Sequence, residues 1–379
     1  MKIYTKIFLG VWIMVLVYFT YTGAISKPTE GDSLAYHIPI AKNIAAGRIF
    51  EFYGTGNPFR LWFYPAMGET LLAGFIKLGL PLNLFNVSGW LALSGSVYLL
   101  GMRKRLGREA AIIIAVAVAM WPSVIRLLPN QTVDIWLAVW FTATLVLWEK
   151  KFKNRKDWMW LGVYMGLLVG MKYSGPLFGL ILFLVYHREW LKDTGKSKYL
   201  WPGLVIIGGF WYGRNWIITG DPFYPGAFLW WRGDITYHLQ DWKTWMTIFQ
   251  HKGGVEVFVS ALFSEFLIWP VLLFLPFVRR DRLAITGILC FAAYLVLPSW
   301  PVNTVSDLRY TYPAFIPLLL SGWVWIREQR REELMMTAAG LCIVAELTQL
   351  DYKPKLFVIL ILACVYILNF QFSKNTLSS

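Results

Sequence analysis

The chain opens with the apolar run IFLGVWIMVLVYFTYTGAI at Ile7–Ile25 and then presents the polar stretch GDSLAYH at Gly31–His37. A bilayer core of about 30 Å is crossed by roughly 20 apolar residues in a helix, so we expect the first run to be a retained membrane helix. The second stretch offers a carboxylate, a phenol and an imidazole where the chain leaves the membrane. An acidic side chain held there, Asp32, is a candidate catalytic base for chemistry on lipid-linked molecules.

The composition of the whole chain indicates an all-α polytopic membrane protein. Of its 379 residues, 57% are hydrophobic and only 15% are charged, whereas soluble domains carry about 25% charged residues. The chain is also rich in tryptophan (21) and tyrosine (19), which are enriched at the two surfaces of a bilayer. A large soluble domain is therefore excluded.

The net charge of +14 is concentrated in short breaks between the apolar runs. The positive-inside rule places such breaks on the cytoplasmic side, so the excess charge sets topology and need not bind anything. Membrane lipids are expected partners of such a chain, and nucleic acid is not. The basic breaks lie at 103–108, 150–156, 188–198, 279–282 and 327–331.

With the basic breaks inside, the pattern predicts about 12 transmembrane helices with both termini cytoplasmic. We place them at residues 7–25, 84–101, 110–128, 134–149, a pair within 158–187 that is broken at 172–176, 200–218, 256–277, 283–299, 312–326, 335–350 and 356–371. Two further stretches, 33–46 and 67–80, are too short to cross and are expected to be interfacial helices in a long outer loop at 26–83. A second outer loop is expected at 219–255.

The remaining unusual polar residues all fall on the predicted outer side. Ionisable groups near apolar spans are costly and usually face a cavity or one another. Together they predict a single outward-facing polar site. Its candidate members are Asp32, His37, Glu69, Asp134, Lys172, Arg214, Asn215, Asp221, Arg309 and Tyr310.

Each of these residues also has an ordinary structural interpretation. Asp32 and Asp134 are well placed to cap the helices that follow them, because aspartate is a favoured N-cap residue. Arg214 and Arg309 are equally consistent with side chains that extend to the membrane surface. Lys172 is harder to explain in this way, since an ammonium in a broken intramembrane turn needs an anion.

Five short motifs, in this order and on one side, resemble those of the GT-C glycosyltransferases, which use sugars on polyprenyl phosphate or diphosphate carriers. Members of that superfamily include protein O-mannosyltransferases and bacterial aminoarabinose transferases. The resemblance covers about the first 220 residues and, more loosely, the Arg309 region. The motifs are Asp32-x-x-x-Tyr36-His37-x-Pro39 with Tyr64-Pro65 and Glu69, Gln131-Thr132-x-Asp134, Lys172-Tyr173-Ser174-Gly175, Arg214-Asn215 with Gly220 to Pro225, and Arg309-Tyr310 with Pro313.

The resemblance implies a GT-C-like catalytic module at 1–220. The pattern of the sequence predicts the second outer loop and C-terminal helices at 221–371 and a short, polar, disordered tail at 372–379. The resemblance implies transfer of a sugar from a polyprenyl-phosphate donor to a glycan, lipid or protein acceptor on the outer face of the plasma (inner) membrane. In this chain Asp32 stands alone where an adjacent acidic pair would be expected. The need for a divalent metal is therefore open, and no other cofactor is implied.

The chemistry of the residues fits such a transfer. A carboxylate such as Asp32 can remove the proton of an acceptor hydroxyl as it attacks the sugar, and cations stabilise the departing phosphate. We assign phosphate binding to Lys172, Arg214, Arg309 and Tyr310. Sugar or acceptor binding is assigned to Tyr36, His37, Glu69, Asp134 and Asn215.

Two other classes of protein remain as alternatives. A transporter or flippase for lipid-linked glycans would also have many helices and outer cations, but transporters usually show repeat symmetry and midplane charges. A different membrane enzyme, such as a glycan polymerase, a ligase or an acyltransferase, is the second alternative.

Overall fold

A computed structural model describes residues 2–51, 61–150, 152, 154–192, 194–226, 230–231, 233, 254–296 and 308–349. In these residues the chain is helical and contains no β-strand. Residues 33–37 and 204–208 form π-helical turns, and 82–84, 269–274 and 308–311 form 3₁₀ turns. The α-helices are α1 (Ile3–Ile25), α2 (Ile38–Ala45), α3 (Met67–Lys77), α4 (Phe85–Arg103), α5 (Arg108–Ala119), α6 (Pro122–Leu127), α7 (Asp134–Trp148), α8 (Arg155–Met171), α9 (Ser174–Lys192), α10 (Thr194–Ser197), α11 (Leu200–Gly203), α12 (Phe210–Thr219), α13 (Gly254–Phe266), α14 (Leu275–Val278), α15 (Arg282–Val296), α16 (Tyr312–Glu328) and α17 (Glu332–Gln349).

In the part of the chain that the structure describes, two or three helices have the length and composition to cross a membrane. Among the described residues, Ile3–Ile25 and Leu82–Arg103 are long and apolar enough to cross a membrane. A third span results if the pair Val255–Phe266 and Trp269–Val278, bent by 110°, is counted as one. The predicted number of about 12 spans is therefore not confirmed, and the last predicted span and the tail lie outside the described residues.

Proline accounts for one of the breaks that shorten the helices. The expected span at 110–128 is divided into α5 and α6, because Trp121 is extended (φ −63°, ψ 136°) immediately before Pro122. A residue that precedes proline is disfavoured in the α conformation, while proline itself fits the first position of a helix. The same segment therefore forms two short helices.

The two short helices predicted in the first outer loop are present and pack on each other. α2 is preceded by the π-helical turn Ser33–His37 and is followed by Gly47, whose φ of +77° ends the helix in a left-handed conformation. The packing of α2 against α3 and α4 buries an apolar cluster, and a second cluster joins α2 to α12. The first cluster is Ile38, Ala41, Leu72, Ala73 and Phe85, and the second is Ile40, Ala66 and Trp211.

α7 and α16 separate the candidate polar residues from the basic breaks. α7 begins at Asp134 and is followed by Glu149, which pairs with Lys104 at 3.0 Å. α16 follows Arg309 and ends at Glu328, which pairs with Arg279. At 1.5 Å per residue, α7 places about 22 Å between its two ends. The described residues thus have a site end, with Asp134 and Arg309, and a basic end, with Lys104 and Arg279.

Candidate functional site

The carboxylate of Asp32 does not cap the helix that follows it. The residue has helical backbone angles, and its side chain makes no capping hydrogen bond. Glu30 performs that role, because its carboxylate accepts hydrogen bonds from the backbone N–H of Asp32 at 3.0 Å and of Ser33 at 2.6 Å. The Asp32 carboxylate is consequently available for other partners, and 46% of its side chain is exposed.

Four charged residues form a continuous chain at the site end. Arg309 Nη2 donates to Asp32 Oδ2 at 3.3 Å, and Arg309 Nε lies 3.3 Å from Asp134 Oδ2. Lys172 Nζ donates to the other oxygen of Asp134 at 3.0 Å. The Asp134 side chain is only 1% exposed, so the two cations satisfy a buried carboxylate. Four separate segments, the first loop, α7, the α8–α9 break and the turn before α16, meet in this chain.

Arg309 keeps its charge in this setting. Burial alone would lower the pKa of its guanidinium, but the attraction of Asp134 outweighs burial and raises that pKa above its ordinary value. A guanidinium held between two carboxylates is fixed in position, and its planar set of N–H donors suits a further anionic group.

Two tyrosines line the chain of charges. The ammonium of Lys172 lies 4.0 Å from the ring centroid of Tyr310, within range of a cation–π interaction, and Arg309 Nη2 donates to the Tyr310 hydroxyl at 3.3 Å. Burial and the nearby Tyr310 and Asp32 raise the pKa of Tyr36 well above its ordinary value of 10.0. Tyr36 is therefore a neutral phenol at physiological pH and can act as a hydrogen-bond donor.

His37 and Glu69 form a buried pair beside the chain of charges. His37 Nδ1 lies 2.6 Å from Glu69 Oε1, and the two residues are 2% and 5% exposed. The ring of Tyr36 packs against the imidazole with a centroid distance of 4.0 Å. The contact joins the first turn of α3 to the π-helical turn that follows Asp32, so it fixes the position of the first loop.

A close contact at Gly68 brings three candidate residues together. A Cβ atom added at Gly68 would lie 2.2 Å from Val133 Cγ1 and 3.0 Å from Met171 Sδ. Glycine is thus required for α3 to approach the other two segments this closely. Since Glu69, Asp134 and Lys172 each follow one of these three contacting residues in the chain, the contact assembles their part of the site.

Arg214 and Asn215 lie in a different setting from the other candidates. Arg214 donates to the backbone carbonyls of Ile49 at 2.8 Å and Trp62 at 2.9 Å, and Asn215 Nδ2 donates to the carbonyl of Phe63 at 2.6 Å. Both side chains are buried. They attach α12 to the first loop, and the assignment of Arg214 to phosphate and of Asn215 to sugar stays a prediction.

Asp221 is occupied by its own loop. Its two carboxylate oxygens accept hydrogen bonds from the backbone N–H of Phe223 at 2.8 Å and of Gly233 at 3.1 Å. In the part of the chain that the structure describes, no group of three or more histidine, cysteine, aspartate or glutamate side chains could hold a metal ion. The question of a metal requirement is therefore as open as the sequence left it.

Two residues that build the site, Glu30 and Gly68, are not among those predicted from the sequence. Glu30 could have been predicted as a helix cap from the sequence, because it lies three residues before Ser33 in the segment that precedes an amphipathic helix. Gly68 carried no signal, because its importance comes from Val133 and Met171, which are distant in the sequence.

Comparisons with known proteins agree with this architecture. Residues 65–211 match the family model for dolichyl-phosphate-mannose-protein mannosyltransferases. A crystal structure of ArnT from Cupriavidus metallidurans bound to undecaprenyl phosphate is 16% identical, with a TM-score of 0.58 over 94% of this chain and 69% of that one. The same protein in the apo state is 15% identical, with a TM-score of 0.56 over 93% of this chain and 66% of that one. A search of curated protein sequences found no match.

Proposed function

We propose that this chain transfers a sugar from a polyprenyl-phosphate donor to an acceptor hydroxyl. The family match and the shared fold support its resemblance to the GT-C membrane glycosyltransferases. The reaction would occur at the outer face of the plasma membrane, with the acceptor a glycan, a lipid or a protein. The ArnT structure bound to undecaprenyl phosphate supports a donor on a carrier of this kind.

The observation that carries the proposal is the chain Asp32–Arg309–Asp134–Lys172. It places the half-exposed carboxylate of Asp32 next to Arg309, and the buried carboxylate of Asp134 holds both Arg309 and Lys172 in position. Transfer from a lipid phosphate needs these two functions side by side, a base for the acceptor and positive charge for the leaving group.

The roles of the residues follow from their exposure and charge. Asp32, the most exposed member of the chain, accepts the proton of the acceptor hydroxyl as its oxygen attacks the anomeric carbon. The bond from that carbon to the phosphate oxygen breaks, and the departing phosphate gains negative charge. Arg309 and Lys172 stabilise that charge, while Asp134 holds both cations in place before the donor arrives.

The buried pair and the tyrosines are assigned to recognition. Tyr36, which is a neutral donor, and His37, which Glu69 orients, lie on the turn that carries Asp32. We place the sugar or the acceptor against this turn. Tyr310 lies between Lys172 and Arg309 and is placed at the donor phosphate.

The test is binding of undecaprenyl phosphate to the purified full-length chain in detergent, followed by tryptophan fluorescence or native mass spectrometry. Lys172→Gln and Arg309→Gln should each weaken binding by about 10- to 100-fold, because a hydrogen bond to a charged group contributes about 1.5–3 kcal/mol. Lys104→Gln is a matched control, since its ammonium lies at the same distance, 3.0 Å, from a carboxylate at the basic end. Equal affinity in the control and the two site variants would contradict the proposal.

A further inference from the structure

The turn that carries Asp32 is held by a second carboxylate. Besides accepting from the two backbone N–H groups, Glu30 Oε2 accepts a hydrogen bond from the Ser33 hydroxyl at 2.6 Å. Three donors therefore converge on the two oxygens of one side chain. The first N–H groups of a helix need acceptors, and a carboxylate at this end also interacts favourably with the helix dipole.

The hydrogen bonds continue from this turn to the segment that carries Asp134. Ser33 Oγ accepts from the backbone N–H of Gln131 at 2.9 Å, and both residues have no exposed surface. Gln131 Nε2 in turn donates to Asn83 Oδ1 at 2.7 Å, and Asn83 Nδ2 donates to Ser26 Oγ at 2.8 Å. The end of α1, the turn of Asp32 and the loop before α7 thus share one network of hydrogen bonds, which is buried at Ser33, Gln131 and Asn83.

We propose that Glu30 is a positioning residue for the transfer reaction: by capping the turn in place of Asp32 and tying it through Ser33 to Gln131, it directs the Asp32 carboxylate to the acceptor. The inference rests on the proposed function and extends it to a residue that touches neither donor nor acceptor. Without Glu30, the Asp32 carboxylate is the nearest acidic group able to satisfy the open N–H groups, and it would turn away from Arg309.

Glu30→Gln is a discriminating change. Its side chain has nearly the same size, but one of the two acceptor oxygens becomes an NH₂ donor that faces the donors of Asp32 or Ser33. Glu51→Gln serves as the matched control, because Glu51 is an exposed glutamate in the same loop. Ser33→Ala is a milder second variant that removes the link to Gln131 and leaves Glu30 in place.

Three measurements on the full-length chain test the proposal. The first is amide hydrogen exchange in the peptide covering 30–37, with the peptide covering 134–148 as an internal reference. The second is the Kd for undecaprenyl phosphate. The third is transfer, read by mass spectrometry as the ratio of glycan product to accumulated lipid-linked sugar in a deletion strain that carries each variant.

For Glu30→Gln we expect exchange in 30–37 to rise at least tenfold and transfer to fall at least tenfold, while the Kd stays within threefold of wild type. Ser33→Ala should show smaller changes in the same direction, and Glu51→Gln should match wild type. Transfer within twofold of wild type, unchanged exchange, or a loss of binding in proportion to transfer would overturn the proposal. If wild type itself neither binds undecaprenyl phosphate nor transfers a sugar, the proposed function fails, and the exchange data alone decide whether Glu30 holds the turn.

Discussion

Asp134 offers the clearest test of how the charges at the site support one another. Replacing it by asparagine removes a carboxylate that lies 3.0 Å from Lys172 and 3.3 Å from Arg309. The shape of the side chain is nearly conserved. The two cations, whose side chains are only 19% and 11% exposed, are left near each other without the carboxylate between them.

The size of the effect follows from these distances. Coulomb's law with an effective dielectric constant of about 20 gives an attraction of about 5 kcal/mol for each pair. The burial of the carboxylate itself costs several kcal/mol, which the substitution recovers. Breaking a buried pair by removing one partner usually costs about 3–5 kcal/mol, and we expect Asp134→Asn to fall in that range.

The assay is SDS-induced unfolding of the purified chain, measured for Asp134→Asn, Lys172→Met and the double variant. Because removing both partners of a buried pair is often close to neutral, the double variant should be more stable than the sum of the two single changes by about 1–3 kcal/mol. Strictly additive effects, or a cost below about 1 kcal/mol for Asp134→Asn, would show that the three groups do not depend on one another.

Three further predictions concern the segments around the site. Gly68→Ala should lower stability and transfer, because its Cβ would overlap Val133. Gly74→Ala in the same helix, where nothing lies within 4 Å, should be stabilising by about 0.5–1 kcal/mol. Equal melting temperatures for the two variants would show that α3 does not need glycine at position 68 to approach Val133. Arg214→Gln should lower the unfolding midpoint, because the guanidinium of Arg214 donates to loop carbonyls. The folded protein should still bind undecaprenyl phosphate with a Kd within threefold of wild type. Loss of binding with unchanged stability would instead support the phosphate role predicted from the sequence. Burial raises the pKa of Glu30, but hydrogen bonds from Ser33 and Asp32 outweigh it and hold that pKa below the ordinary 4.5. The cap therefore persists above pH 4.5 and is lost as the pH falls through the lowered pKa. Protection from amide exchange at 30–37, corrected for intrinsic rates, should be constant from pH 7 to 5, and a loss of protection already at pH 6 would contradict this prediction.

The helical class and the proximity of Asp32, Asp134, Lys172 and Arg309 were predictable from the order of apolar runs and basic breaks along the chain. The apolar run at Ile7–Ile25 and the polar start of α7 at Asp134 are visible in the sequence alone, and they appear as α1 and α7. The break at Pro122 was also available from a rule about proline, although the expected span ran through it.

The different settings of Arg214 and Arg309 were not predictable in this way. Both are single arginines near the predicted outer ends of apolar segments, so the sequence alone predicts phosphate binding for both. Only the tertiary structure places Arg309 between Asp32 and Asp134 and directs Arg214 to the carbonyls of the first loop. The same holds for Gly68, whose neighbours are set by helix packing.

The most direct test of the central claim is Asp32→Asn in a deletion strain, with the glycans of the cell envelope and the lipid-linked sugars measured by mass spectrometry. Insertion into the membrane and binding of undecaprenyl phosphate are checked in parallel, and Glu51→Gln is the control. We expect the variant to insert and bind normally, to lose a glycan modification and to accumulate a polyprenyl-linked sugar. A wild-type glycan profile from that variant would contradict the assignment of Asp32 as the base and would favour transport of a lipid-linked glycan instead.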